Sequence, residues 1–295
     1  NATINKLYVQ VYSEYGDKLI YEPLEPISVS SGSASFSVNL IQDQKYDIIF
    51  WAQKNDAYNT SDLRLIPMDK KYHNIEDGAA FFAYLNDFIP TGASQLVELR
   101  RPFAQLNLGT SPASLKTDVQ EDSIKLTKSY IKVANVASFF NTILGCGEGE
   151  QVVEFSLANV PTEKLYVDGQ MYYYISMDYL PIAGDKQALV TVNASITLDN
   201  DDNKKVSHEF VNVPVKENYR TNIIGNLISS TTDFKVSIDE EFAKDNEGNL
   251  FPDNNINVWD GKTLSQPYYE GLSKTFIIND ASELAWLSAV LNDEI

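Results

Sequence analysis

The sequence has few of the residues that most often carry chemistry. Its 295 residues include one cysteine, Cys146, and two histidines, His73 and His208. A single cysteine excludes a disulfide within the chain, and so few thiol and imidazole groups argue against zinc sites and catalytic triads. A nucleophilic thiol at Cys146 would need a base within hydrogen-bond reach, and nothing in the sequence places a histidine beside it. We therefore predict no catalytic residue and no metal ligand.

Long apolar runs and positive charge are also scarce. No segment reaches the run of about 18 apolar residues that indicates a membrane-spanning helix, so no transmembrane segment is predicted. Lysine and arginine total 23 against 41 acidic residues, a net charge of −18. This field repels nucleic acid and anionic membranes, and neither is expected as a partner. The chain starts at Asn1 without a signal peptide and ends inside an amphipathic pattern, so we expect the natural protein to continue.

Motifs that would indicate a cofactor are incomplete. The Asp-x-Asp-x-Asn motif at 199–203 imitates the start of a calcium loop, but Lys204 and Phe210 stand where an EF-hand needs Gly and Glu. An acidic hairpin turn explains this motif better. The alternating glycines at 145–149 lack the Lys-Ser/Thr that follows them in a phosphate loop. No cofactor is predicted.

The apolar pattern is that of strands. Residues 189–198 alternate strictly between apolar and polar, and residues 45–53 are apolar almost throughout. The first pattern is typical of a half-buried strand, the second of a central strand buried on both sides. Residues 104–110 also alternate, which predicts one buried and one solvent-exposed face. A break or bulge at Pro102 is expected to divide the longer segment into two strand pieces. A further strand is expected within 28–40, and a short helix at 136–144.

Strands at roughly 8–12-residue spacing with few helices indicate antiparallel sandwiches. We predict an all-β fold with short helices. It would comprise a sandwich at residues 1–109, a second at 110–238, a linker at 239–255 and the start of a further domain at 256–295. The last segment ends in a helix that Asp280 is expected to cap.

Aromatic residues and carboxylates each suggest a second interpretation. Tyrosine is abundant, and Tyr72, Tyr84, Tyr130 and residues 172–174 have side chains that could stack on sugars. Packing within sheets explains them more simply. Composition does not exclude a glycosidase, but no carboxylate pair stands in a recognisable context.

Six segments form an ordered pattern that resembles a known family. They are 46–53 (YDIIFWAQ), 62–64 (DLR), 79–82 (AAFF), 97–110 (VELRRPFAQLNLGT), 173–181 (YYISMDYLP) and 213–227 (VPVKENYRTNIIGNL). The pattern is similar to that of the fimbrillin-like proteins, the lipoprotein pilins of type V pili in Gram-negative gut and oral anaerobes. The resemblance spans about residues 5–238.

The resemblance implies two tandem transthyretin-like sandwiches and a non-enzymatic role as a fimbrial (pilus) subunit or cell-surface adhesin. Such subunits are exported as lipoproteins to the outer membrane, anchored through an N-terminal cysteine. In stalk subunits a trypsin-like protease then removes a first strand, and a strand of the neighbouring subunit fills the vacated groove. The implied partners are other pilin subunits, bound by donor-strand exchange, together with surface glycans or proteins of host or bacterium.

Two features depart from the family pattern. The lipidated cysteine is absent from this chain, and Lys6 alone is weak support for a cleavage site. Residues 256–295 resemble the leader of a β-helical repeat module rather than a free donor strand, which favours a tip or accessory subunit over a stalk subunit. Two alternatives stay open: a carbohydrate-binding surface lipoprotein, and the non-catalytic part of a larger surface enzyme.

Overall fold

The computed structural model describes residues 4–13, 18–69, 71–115, 124–184, 187–228, 234–239, 268–270, 275–277 and 281–291. Contacts divide the chain into two compact units, residues 1–246 and 247–295. Regular structure in the described residues is almost entirely β, so the predicted all-β class is confirmed.

The strands are, in chain order, β1 (Lys6–Ser13), β2 (Leu19–Tyr21), β3 (Ile27–Ser28), β4 (Tyr46–Gln53), β5 (Leu65–Pro67), β6 (Ala80–Phe88), β7 (Phe103–Thr110), β8 (Leu126–Val136), β9 (Phe139–Asn141), β10 (Cys146–Glu148), β11 (Gln151–Asn159), β12 (Lys164–Val167), β13 (Gln170–Pro181), β14 (Gln187–Leu198), β15 (Asp201–Lys216), β16 (Arg220–Gly225), β17 (Phe234–Asp239), β18 (Tyr268–Glu270) and β19 (Thr275–Ile277). The helix α1 is Ala281–Leu291, and 3₁₀ turns occur at Glu76–Gly78 and Pro112–Leu115.

The first sheet has the strand order β2-β1-β4-β6, with the two-residue β3 also paired to β1. Its neighbouring strands are antiparallel. All eight residues of β4 are buried, because β4 lies between two strands and both faces of the sheet are covered. The prediction of a central strand at this position is confirmed.

Two further sheets, of four and five strands, share one hydrophobic core. Their orders are β11-β8-β14-β15 and β12-β13-β7-β16-β17, and inward side chains from both, such as Leu106, Ile131, Val192 and Ile223, pack in one cluster. The pair β7–β16 is parallel, and the other pairs of these sheets are antiparallel. These sheets form a two-layer sandwich. The predicted division at residues 109 and 110 stays a prediction, although β7, which spans it, belongs to this sandwich.

The wet face expected on residues 104–110 is wrong. Every residue of β7 is buried, including Gln105 and Asn107, which are 2% and 0% exposed. Since β7 is an interior strand, its polar side chains meet those of the parallel neighbour β16. Asn107 Nδ2 donates to Asn222 Oδ1 at 2.8 Å, and Arg220 Nε donates to Gln105 Oε1 at 3.0 Å. The break at Pro102 is confirmed, because β7 starts at the next residue. The strand piece expected before Pro102 is wrong, because Arg100 there forms only an isolated bridge to Phe82.

The helix expected at 136–144 is also wrong. Residues 139–141 form β9, which lies between β10 and β5 in a three-stranded sheet. Phe140 is completely buried against Trp51 and Phe82. Burial of this ring on a strand prevails over the weak helical spacing of the segment. The strand expected within 28–40 is reduced to β3, which includes only the first of these residues.

Residues 247–295 form the second unit, in which the hairpin β18–β19 and α1 are described. The predicted helix is confirmed, whereas its cap Asp280 and residues 240–255 of the predicted linker lie outside the described residues. Within the part of the chain that the structure describes, no helix combines the length and hydropathy needed to cross a membrane.

Candidate functional site

The sequence motifs singled out for chemistry serve local structure. In the 199–203 motif, Asp199 and Asn200 occupy a hairpin turn with φ of 52° and 56°. The Asp199 carboxylate accepts hydrogen bonds from the backbone N–H of Lys125 and the ammonium of Lys204. The backbone bond of Lys125, followed by the Lys204 side chain, lowers the pKa of Asp199. The prediction of an acidic hairpin turn is confirmed. Among the described residues, no group of three His, Cys, Asp or Glu side chains could hold a metal ion.

The two histidines hydrogen-bond to groups other than Cys146. His208 Nε2 lies 2.6 Å from the carbonyl oxygen of Leu227. His73 lies in a buried cluster with Asp178 and Ser129, where its Nδ1 is 2.6 Å from Asp178 Oδ1 and its Nε2 is 3.2 Å from Ser129 Oγ. No short sequence spacing joins these three residues, and sequence reasoning did not find them.

This Ser–His–Asp arrangement lacks the features of a hydrolytic triad. His73 Nε2 lies 3.0 Å from the backbone carbonyl oxygen of Ser129 and 3.3 Å from the side-chain amide nitrogen of Asn74, so the hydroxyl group of Ser129 is one of three buried neighbours of this nitrogen. Ser129 and Asp178 are both 0% exposed, so a substrate has no access to the hydroxyl group. The cluster is therefore a structural connection.

The cluster ties the loop before β6 to the sandwich. Asn74, with φ of 60°, donates its backbone N–H to the carbonyl oxygen of Met177 and accepts from the N–H of Met177 through Oδ1. Its Nδ2 donates to the carbonyl oxygen of Asn159 and to Ser129 Oγ. Together with the bond of His73 to Asp178, these contacts join the loop to β8, β11 and β13. We call His73, Asn74, Ser129 and Asp178 the clasp.

Folding raises the pKa values of the two ionisable side chains of the clasp, His73 and Asp178. Burial by itself lowers the pKa of His73, but the hydrogen bond and negative charge of Asp178 outweigh burial and raise that pKa above the ordinary 6.5. Burial raises the pKa of Asp178, and the hydrogen bond from His73 offsets this rise only in part. Both groups therefore bind their protons more strongly in the folded chain than in the unfolded chain.

One face of the first sheet is covered by two segments that have no regular secondary structure. That face consists of buried apolar side chains of β1 and β4, among them Val9, Val11, Ile48 and Phe50. Partly buried residues of two segments pack on it, Ala34 and Leu40 in one and Val97 and Leu99 in the other. We call residues 34–44 and 89–99 the cover segments. They contain no helix and no strand.

The side chains of the first cover segment alternate as those of a strand do. Ala34, Val38 and Leu40 are half-buried, while residues 35, 37 and 39 are exposed. Between them, the ring of Phe36 lies 6.3 Å from that of Phe50 and stacks at 6.4 Å on Tyr21. In the second segment only residues 97–99 alternate, and residues 91–96 are all exposed. The first segment thus has the side-chain pattern of a second sheet layer.

The backbone of the cover segments does not form a ladder. Within the described residues, no ladder of backbone hydrogen bonds joins residues 34–44 or 89–99 to another strand. Local side chains bond to this backbone: the N–H of Ile41 donates to Tyr46 Oη, and the carbonyl oxygen of Leu96 accepts from Gln95 Nε2. The side chains of Ile41 and Leu96 face solvent, at 63% and 82% exposed. Backbone without a partner strand beside exposed apolar side chains is the arrangement that accepts an added strand.

A family model described as a family of unknown function, DUF6562, matches residues 5–277. No curated protein matches the chain. Among solved structures, a DUF1812 protein of Bacteroides thetaiotaomicron, described as a candidate polysaccharide binding protein, is 13% identical with a TM-score of 0.50, over 81% of this chain and 89% of its own.

Two further structures have lower TM-scores. The tip fimbrial protein Mfa3 of Porphyromonas gingivalis, truncated at its C-terminus, is 12% identical with a TM-score of 0.48, over 80% of this chain and 94% of its own. A candidate cell adhesion protein of Parabacteroides distasonis is 13% identical with a TM-score of 0.45, over 80% of this chain and 87% of its own. The resemblance to fimbrillin-like proteins predicted from the sequence is confirmed. At such identities the likeness establishes the fold alone.

Proposed function

The chain belongs to the family of unknown function DUF6562, and we propose that it is a non-enzymatic fimbrial subunit or cell-surface adhesin that accepts a strand from a partner subunit. The observation that carries this proposal is the pair of cover segments over the first sheet. The first of them has the side-chain alternation of a strand, and within the described residues neither forms a backbone ladder. The acceptor would be their backbone, which has no partner strand.

Addition of a donor strand would stabilise the cover segments in two ways. Each hydrogen bond gained by an unpaired N–H or C=O group contributes about 0.5–1.5 kcal/mol. An apolar donor strand would also remove the side chains of Ile41 and Leu96 from water, which is favourable in proportion to the apolar area buried. Main-chain bonds would supply affinity, and the alternate side chains of the donor would supply specificity.

The finer features of the proposal rest on the family resemblance. They are two tandem transthyretin-like sandwiches, at 1–109 and 110–238, export as a lipoprotein, and a place on the outer membrane or in a fimbrium. A tip or accessory position fits best, because residues 256–295 resemble the leader of a β-helical repeat module rather than a free donor strand. The buried Ser129 of the clasp, closed to substrate, supports a role without catalysis.

The proposal predicts assembly with a stalk pilin after protease treatment. The chain is digested briefly with trypsin, mixed with a fimbrillin stalk subunit, and analysed by size-exclusion chromatography and by electrophoresis without heating. A stable complex is expected. Leu96→Asp should weaken it, because a carboxylate would enter the proposed interface. Ser37→Pro should weaken it as well, because proline removes a backbone donor.

The matched control is Leu144→Asp, since Leu144 is also exposed, at 62%, and lies outside the cover segments. This variant should assemble as the unchanged chain does. Circular dichroism checks that all variants remain folded. If no complex forms, or if Leu96→Asp and Leu144→Asp behave alike, the cover segments are not the acceptor.

A further inference from the structure

The centre of the outer face of the sheet β11-β8-β14-β15 is a polar grid, although apolar side chains are exposed elsewhere on the same strands, at Val152, Leu189 and Val211. Strand alternation directs Ile131, Val192 and Phe210 into the core, and their neighbours in sequence point to the opposite face. The registers place these neighbours in two rows, Glu154–Lys132–Asn193–Glu209 and Tyr130–Ser195–Ser207. Four strands at about 4.8 Å spacing make the grid roughly 14 Å wide.

A shallow depression of about 410 Å³ lies in this grid. Tyr130, Asn193 and Glu209 line it, with Ser195 and Ser207 between them. The depression exists because two small serine side chains stand among larger ones. Its volume falls within the range of small-molecule sites, about 300–1,000 Å³.

Tyr130 lines the depression, whereas the other tyrosines that the sequence offered for sugar stacking lie elsewhere. The hydroxyl group of Tyr72 donates to the carbonyl oxygen of Ala57, and that of Tyr84 donates to Asn86 Oδ1. Tyr172 and Tyr174 pack on an apolar cluster formed by β12 and β16, and Tyr173 lies beneath the ammonium of Lys164. Tyr130 is half-buried at the edge of the depression, where its hydroxyl group hydrogen-bonds to Glu154.

The side chains in the grid match the groups of a sugar. An aromatic ring offers an apolar face together with a polar tip, as the apolar face and hydroxyl groups of a pyranose require. The Asn193 amide both donates and accepts, and a carboxylate such as Glu209 can accept two hydroxyl protons at once.

The charges favour an uncharged ligand. Lys132 Nζ lies 3.0 Å from Glu154 Oε1, so these two charges neutralise each other. The carboxylate of Glu209 lines the depression, whereas Lys128 and Lys205 stand one row beyond Tyr130 and do not line it. The net charge of −18 also opposes the approach of a polyanion.

From this geometry we propose that the outer face of β11-β8-β14-β15 is a binding site for a neutral glycan, with Tyr130 stacking on a sugar ring and Asn193 and Glu209 holding its hydroxyl groups. The site is separate from the cover segments and does not depend on strand acceptance. Its failure would leave the proposed assembly untouched, and the reverse also holds.

The test is calorimetric titration of the 295-residue chain with short neutral oligosaccharides of glucose, mannose, xylose and galactose. A galacturonic acid oligosaccharide serves as the acidic probe. We expect binding of at least one neutral probe. Tyr130→Ala should weaken it about tenfold or more, since stacking on the ring is lost. Ser195→Leu, which fills the depression without adding charge, should abolish it.

The matched control is Tyr166→Ala, which removes an exposed tyrosine, at 65%, from β12 of the other sheet. It should leave affinity unchanged. Thermal unfolding checks that the outward-facing substitutions keep the fold. The proposal is overturned if no neutral probe binds, if only the acidic probe binds, or if Tyr130→Ala and Ser195→Leu bind as tightly as Tyr166→Ala.

Discussion

Replacing Asp178 by alanine tests whether the clasp stabilises the first unit of the chain. Asp178 is 0% exposed and pairs with the buried His73, so the substitution leaves an imidazole without its counter-charge. Breaking a buried pair in this way costs about 3–5 kcal/mol. We expect the lower end, because Asp178 Oδ2 already lacks a hydrogen-bond partner in the folded chain. For a unit of this size, about 3 kcal/mol lowers Tm by roughly 6–12 °C.

The measurement is urea unfolding at neutral pH followed by tryptophan fluorescence, with a thermal scan beside it. Asp56→Ala is the matched control. It removes a carboxylate whose side chain is 79% exposed and which lies 2.7 Å from Lys6, so stability should change little. If Asp178→Ala unfolds at the same urea concentration as Asp56→Ala, the clasp does not carry the stability that its burial implies.

Three further outcomes are expected. The pKa of His73 is raised above 6.5 in the folded chain, so its protonation should stabilise the fold fully below pH 6.5. This stabilisation should be lost as the pH rises through the pKa of the folded chain. Urea titrations across pH should show the decline, and His73→Gln should remove it. Gly147→Ala should lower Tm more than Gly109→Ala, since the new Cβ of the former would lie 2.2 Å from the backbone oxygen of Ile182, whereas the latter meets the end of a flexible leucine 2.8 Å away. Leu106→Ala, at a completely buried position of the sandwich core, should cost about 2–5 kcal/mol by urea unfolding.

Local periodicity was sufficient where a strand's environment follows from its own residues. Strand β14 alternates and lies in the sandwich as expected, and the apolar run of β4 correctly indicated burial on both faces. Periodicity failed for β7, because the partner that satisfies Asn107 is Asn222, 115 residues away. Alternating polar residues indicate a solvent-exposed strand face only when no strand distant in sequence supplies hydrogen bonds to them.

Pairing between residues distant in sequence also explains the other features that the sequence did not predict correctly. Residues 139–141 pair with β5, more than 70 positions earlier, and the spacing of apolar residues within 136–144 contains no information on that partner. The clasp joins His73, Ser129 and Asp178, which no motif relates in sequence.

The strand that the sequence predicts within 28–40 differs from these wrong predictions in what replaces it. Where periodicity predicts wrongly, another regular structure usually forms instead, as β9 forms in place of the expected helix. Here no competing structure exists within the described residues. Ala34 and Leu40 still pack on the core of the first sheet, while the described backbone around them makes no ladder. The local sequence is that of a strand, and the described chain supplies no neighbour for it. Local and global preferences agree in most natural sequences, so such a disagreement marks a functional position. A strand from a partner subunit would resolve it, since the pattern of residues 34–40 would then match the structure it adopts.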